Sequence, residues 1–121
     1  MMKKILFLVS LLAFTYGQNV FAHGGSHAPV SEARAIEITT ITLNQFVSFD
    51  AGLGFGKLDK SWKDVSADEK RIHKKGSGYY IVSATNKKEG KTLYVLMSLA
   101  GEVYDANFSG VFEGLAQPNE S

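Results

Sequence analysis

The chain has no cysteine among its 121 residues. Disulfide bonds, cysteine nucleophiles and a lipid anchor on an N-terminal cysteine are therefore all excluded. A folded domain built from this sequence must be held together by burial of apolar side chains rather than by covalent cross-links.

The chain also lacks an apolar run long enough to cross a membrane. Its most apolar stretch, residues 5–14, is about half the roughly 20 residues that a spanning helix needs. Lys3 and Lys4 precede this stretch, and the small residues Val20 and Ala22 follow it. This arrangement is typical of a secretory signal peptide over residues 1–22, cleaved between Ala22 and His23. We therefore expect a soluble periplasmic or secreted protein.

A surplus of basic residues is absent as well. The sequence has 13 Lys and Arg against 12 Asp and Glu, and loss of Lys3 and Lys4 with the signal leaves 11 against 12, a net charge of −1. Such a balance argues against a nucleic-acid partner. The mature length suits one compact domain. We expect a Gly/His-rich leader at residues 23–30, the domain at 31–110 and a C-terminal tail at 111–121.

The first part of this domain has the pattern of a helix. Ser31 can cap its N-terminus, Glu32 is favourable in the first turn, and the helix is expected to run towards Phe49, where glycines follow. The apolar stripe predicted to face the core consists of Ile36, Leu43, Phe46 and Val47.

The second part has the pattern of strands. Residues 79–85, 92–99 and 103–108 are rich in aromatic and β-branched side chains and are separated by turn residues, while residues 70–73 form a weaker fourth candidate. The sequence therefore predicts an α+β fold, with one long N-terminal helix on an antiparallel meander of three to four strands.

A small histidine cluster follows the predicted cleavage site. His23 would become the first mature residue, so its α-amine and imidazole could chelate one metal ion, and the intervening glycines would let His27 reach the same ion. Copper or zinc is the expected metal. A solvated leader without metal is the competing interpretation, and His73, which lies among lysines, is a weak candidate for a third ligand.

No other motif indicates catalysis. The glycines of residues 52–56 do not stand between a strand and a helix, so they do not form a nucleotide-binding loop. Neither a nucleophile elbow nor a Ser/His/Asp signature is present. The sequence therefore predicts a protein that is not an enzyme.

The chain resembles a family of small, uncharacterised bacterial periplasmic proteins with a mature His-Gly-Gly-x-His start and a PepSY-like domain. The resemblance extends to about Gly110 and is carried by residues 23–27, 29–33, 56–62, 92–102 and 106–110. It implies a helix followed by an antiparallel sheet. PepSY-like modules are associated with regulation of secreted proteases and with sensing in the cell envelope. The resemblance therefore implies an alternative function, in which a sheet edge binds an envelope protein and no metal is involved.

Overall fold

The computed structural model describes residues 28–115, and within them one helix packs on a four-stranded sheet. The helix, α1, spans Glu32–Ser48. Ser31 caps it as predicted, since the Ser31 Oγ accepts a hydrogen bond from the Arg34 N–H at 3.0 Å. The predicted start and end of the helix are confirmed to within one residue.

The face of α1 that packs on the sheet differs from the predicted stripe. Leu43 and Phe46 are buried as predicted, but Ile36 and Val47 are only half-buried. Ile38, which the periodicity placed off the stripe, is 1% exposed. The buried face is therefore rotated relative to the sequence prediction.

Two threonines explain how this rotated face can be buried. Thr39 and Thr42 are both almost fully buried. Their hydroxyls donate to the carbonyl oxygens of Ala35 and Ile38, at 3.0 and 2.8 Å. Because each hydroxyl is satisfied within the helix, its burial leaves no unpaired polar group, and the methyl groups can pack on the sheet.

The sheet is an antiparallel meander in chain order. Its strands are β1 (Lys70–Gly76), β2 (Tyr79–Asn86), β3 (Lys91–Ser98) and β4 (Val103–Asn107). Two 3₁₀ turns, Lys60–Asp64 and Ala67–Glu69, connect α1 to β1. The α+β class and the helix-on-meander arrangement are thus confirmed, and the weak strand candidate at residues 70–73 belongs to the seven-residue edge strand β1.

Residues alternate between the two faces of the sheet. The inner face packs against α1 and contributes Tyr80, Val82, Ala84, Leu93, Val95, Met97, Val103 and Ala106 to the main core. The opposite side, which we call the outer face, consists of Tyr79, Ile81, Tyr94 and Leu96. Both faces of β2 and β3 carry buried residues, because α1 packs on the inner face and Phe112 and Leu115 contact the outer face.

The first 3₁₀ turn joins α1 to the far end of the sheet. Trp62 is 1% exposed, and its Nε1–H donates to Glu89 Oε1 at 2.9 Å in the turn between β2 and β3. Edge-to-face contacts run from Phe46 through Phe55 and Phe108 to Trp62, with ring centroids 5.5 to 5.9 Å apart. Through this row of aromatic rings the helix, the loop after it and the sheet pack together in one core.

Residues 111–115, which we call the cover segment, lie across the outer face. Phe112 is 9% exposed and packs with the outer-face residues, and Leu115 packs against the same cluster. The sequence analysis placed this segment in the C-terminal tail; within it Phe112 and Leu115 contact the sheet, while Val111, Glu113 and Gly114 are exposed.

Candidate functional site

The predicted metal ligands His23 and His27 lie outside the described residues. Within residues 28–115, Val30 joins the start of the chain to the end of β3: its N–H donates to the Leu99 carbonyl, one residue after the strand, at 2.8 Å. The Val30 carbonyl accepts from the Tyr80 hydroxyl at 2.7 Å. The chain is therefore fixed to the sheet three residues after His27.

His73, the weak third candidate, lies in β1 where a bulge interrupts the pairing between Ile72 and Lys74. Its imidazole packs edge-on against Tyr94, with centroids 4.9 Å apart. Tyr94 belongs to the outer face, whereas Tyr80, which holds Val30, belongs to the inner face. His73 and the point where the leader joins the domain are thus on opposite sides of the sheet.

Within residues 28–115 there is no group of three or more His, Cys, Asp or Glu side chains placed to hold a metal ion. The metal prediction therefore depends on residues 23–27 themselves. Among the helices of the described part, none is both long and apolar enough to cross a membrane.

The two edges of the sheet differ in how they could meet a partner strand, and neither is a flat, open edge. β1 carries three lysines and the bulge at His73. β4 is five residues long and has its own irregularity opposite Leu96 and Met97. Lysines, bulges and short length all discourage addition of a further strand.

A surface pocket of about 270 Å³ lies beside the outer face, between β1 and the cover segment. Ile81, Phe112 and Leu115 form its apolar wall, and His73 and Lys74 of β1 line its rim. The site therefore combines an apolar floor with two basic side chains.

A tight turn directs the chain from β4 onto the outer face. The Asn107 side chain accepts from the Gly110 N–H at 2.7 Å and donates to the Val111 carbonyl at 2.8 Å. Gly110 has a φ of 77°, and a Cβ added there would lie 3.2 Å from the Tyr94 ring. The positive φ therefore favours glycine at this position, and the nearby Tyr94 ring leaves little space for a Cβ.

The sequence analysis did not find the outer face as a site. The available signal was a pair of apolar residues, Phe112 and Leu115, after the glycine turn at Gly110 and before a polar end. Such a pair is weak evidence on its own, since isolated apolar residues are common on surfaces.

Asp105 lies on β4 opposite Leu96 of the outer face. Burial raises the pKa of its carboxyl, and a hydrogen bond from the Ala106 N–H to Oδ1, at 2.8 Å, opposes this increase in part. With its pKa raised, the neutral Asp105 carboxyl is better accommodated in the folded state than the charged one. The stability of the domain is therefore highest, as far as this group is concerned, below its ordinary pKa of 3.8, and it falls as the pH rises through the folded-state pKa.

We therefore expect Asp105→Asn to increase the free energy of unfolding at pH 7, because an amide keeps the acceptor for Ala106 without placing a charge at this half-buried position. The increase should disappear near pH 3, which urea unfolding at the two pH values would measure. Asp68→Asn, an exposed control, should show no such difference. An equal effect of both substitutions would contradict the assigned cause.

Comparison with known proteins gives a family without an assigned activity. A family model described as a family of unknown function (DUF6488) matches residues 1–111. No curated protein and no solved structure matches the chain. The matched stretch includes the signal-like segment, the histidine leader, α1 and the whole sheet, and it ends within the cover segment, before Phe112.

Proposed function

The chain belongs to the DUF6488 family, whose function is unknown, and we propose that it is an exported, non-enzymatic domain that binds copper or zinc through His23 and His27. Export would remove residues 1–22 and place the protein in the periplasm or outside the cell. Cleavage before His23 would create the α-amine that completes the site. We propose no catalytic residue and no role for nucleic acid.

The observation that carries the proposal is the position of the histidines relative to the domain. They immediately precede the segment that Leu99 and Tyr80 fix through Val30, and they lie within the family-matched stretch. Three residues span at most about 10 Å, so a metal ion held by His27 would stay close to the body of the domain.

The chemistry of the leader supports this function. Imidazole nitrogens suit copper, zinc and nickel, and the α-amine of His23 adds a further nitrogen donor. The α-amine has an ordinary pKa of about 7.7 to 8.0 and must lose its proton to bind. Metal affinity should therefore rise between about pH 6.5 and 8.5.

We expect His23→Ala to weaken Cu(II) binding by at least about tenfold, since even outer-shell partners of metal ligands are worth about 10- to 100-fold in affinity. His73→Ala should have no effect, because His73 packs on Tyr94 across the sheet from Val30. Isothermal titration of the mature chain with Cu(II) would measure both affinities. Equal losses in the two variants would contradict a site in the leader.

A chain with one extra residue before His23 provides a sharper control. It keeps both imidazoles but separates the α-amine from the His23 side chain, so the chelate ring can no longer form. We expect the same loss of affinity as in His23→Ala. Native mass spectrometry of the protein exported with its own signal would show whether the mature chain begins at His23 and whether it retains a metal ion.

The alternative is a PepSY-like protein-interaction or protease-regulating module without metal. It is favoured by the outer face, with its apolar floor and basic rim. A module of this kind would keep its interaction after removal of residues 23–27, because the hydrogen bonds of Val30 remain. A metal-binding protein would lose its metal and keep its fold after the same change.

A further inference from the structure

We propose that the outer side of the sheet carries a binding site for a phosphate group, formed by Arg71, His73, Ser83 and Tyr94. The phosphate belongs to a small soluble molecule or to a lipid headgroup. The cover segment stays in place when the site is occupied, and the proposal does not depend on metal binding by the leader.

The register of the sheet places three of these side chains in one row. Arg71 of β1 is paired with Ser83 of β2, and Ser83 is paired with Tyr94 of β3. Tyr94 belongs to the outer face, and residues directly opposite each other in antiparallel strands point to the same side of the sheet. Neighbouring strands are about 4.8 Å apart, so the row extends over about 10 Å.

His73 lies beside this row. The pairing of β1 with β2 is irregular between Ile72 and Lys74, and the His73 imidazole contacts the Tyr94 ring edge-on, with centroids 4.9 Å apart. Because β2 separates β1 from β3, the two rings meet above β2, on the side to which Ser83 points. Side chains from three strands therefore lie around the Ser83 hydroxyl.

Ser83 contributes a hydroxyl group without a partner. The residue is 7% exposed, and its side chain makes no hydrogen bond within residues 28–115. Its Oγ is not one of the fully enclosed, unpaired polar atoms of this part of the chain, so the hydroxyl keeps access to solvent. Hydroxyl groups on buried residues are normally hydrogen-bonded. An oxygen of a bound ligand would supply the missing acceptor.

Arg71 gives the site an unneutralised positive charge. It is exposed and makes no ion pair within the described part of the chain, whereas Arg34 pairs with Glu37 at 2.9 Å. The row continues from Tyr94 to Asn107 on β4 and contains no carboxylate. The site therefore attracts an anion.

The donors of the site suit a phosphate group. The guanidinium fork of arginine pairs with phosphate through two parallel hydrogen bonds. A histidine imidazole and the hydroxyls of serine and tyrosine can each donate one more. A phosphate group offers three terminal oxygens to these four side chains, whereas a carboxylate offers two. We therefore expect the site to prefer phosphate to a carboxylate.

The test is a titration of the isotope-labelled mature chain, freed of metal with EDTA, with inorganic phosphate at constant ionic strength. We expect saturable shifts of the amide resonances of residues 71–73, 83 and 94. Arg71→Gln should weaken the affinity at least about tenfold, the worth of a hydrogen bond to a charged group. Arg34→Gln changes the only other arginine and should leave the affinity unchanged. Shifts that do not saturate, or equal losses in the two variants, would overturn the proposal.

Two further substitutions remove the hydroxyl groups with little change in packing. Tyr94→Phe keeps the ring that contacts His73, and Ser83→Ala removes a single oxygen. Each should weaken phosphate binding by about tenfold. Tyr104→Phe, at a tyrosine of β4 that is 44% exposed, is the matched control and should have no effect. Unchanged affinity in Ser83→Ala would show that the ligand does not reach the row and would refute the assigned site.

Competing ligands identify the chemistry and the source of the phosphate. Acetate should bind at least about tenfold more weakly than inorganic phosphate, and equal affinity would contradict a phosphate site. Glycerol 3-phosphate represents a soluble ligand, and phosphatidylcholine vesicles that contain phosphatidic acid represent a headgroup. Binding of either one, lost in Arg71→Gln, would support the site and assign the source. Binding of neither would count against the proposal.

Discussion

Replacing Trp62 with alanine is expected to destabilise the domain by about 3–5 kcal/mol, the range for truncation of a buried large aromatic residue. Trp62 is 1% exposed, its ring contacts Phe108 edge-on, and its Nε1–H donates to Glu89. The substitution removes the contact, opens a cavity and leaves the Glu89 carboxylate without its donor. Since small domains are stable by only about 5–15 kcal/mol, the variant should be close to unfolding.

Urea denaturation followed by circular dichroism would measure this effect, since Trp62 is the only tryptophan and its fluorescence is lost with it. Tyr104→Ala, at a residue 44% exposed, serves as the control and should change the free energy of unfolding by no more than about 0.5 kcal/mol. Trp62→Phe keeps an aromatic ring without the Nε1 donor. If Trp62→Phe lowers the free energy of unfolding as much as Trp62→Ala does, the effect comes from the lost hydrogen bond and not from packing.

The secondary structure could be predicted because its signals are local. Ser31 marks the start of α1 through its own hydroxyl, and the aromatic and β-branched residues of β2 and β3 indicate strands without reference to the rest of the chain. The orientation of α1 could not be predicted in the same way. Its buried face includes Thr39 and Thr42, whose suitability for burial depends on hydrogen bonds to carbonyls in their own helix rather than on their hydropathy.

The outer face escaped prediction for a different reason. Tyr79, Ile81, Tyr94 and Leu96 belong to strands that also contribute to the inner face, so an apolar run in β2 or β3 does not reveal that the second side is covered by a short segment. The contact between Phe112 and this face depends on the turn set by Asn107, which reverses the chain after β4. A long-range packing relation of this kind is not encoded in local periodicity.

The histidine leader presents the opposite case. Its chemistry can be inferred from the residue types, since two imidazoles are nitrogen donors in any conformation, and cleavage before His23 would add an α-amine. What the described domain adds is the fixed position of Val30, which limits how far a metal ion at His27 can lie from the sheet. The metal prediction therefore stays a proposal about the leader.

Phe46→Ala is expected to have the second large effect, again about 3–5 kcal/mol. Phe46 is 1% exposed on the last turns of α1, and its ring meets the edge of Phe55 at 5.6 Å. The Phe46 carbonyl also accepts from the Leu58 N–H at 3.0 Å, so the residue positions both the helix end and the returning loop. Loss of the ring should loosen α1 from the inner face of the sheet.

Phe49→Ala is a closely matched control, since the same residue type stands three positions later at 40% exposure, and it should change stability by no more than about 0.5 kcal/mol. A double-mutant cycle with Phe55→Ala would isolate the ring contact, for which about 0.5–1.5 kcal/mol of coupling is expected. The tryptophan is present in all these variants, so its fluorescence reports unfolding directly. A Phe46→Ala variant no less stable than Phe49→Ala would show that α1 does not rest on the sheet through this ring, and the aromatic row would then not be a structural element of the core.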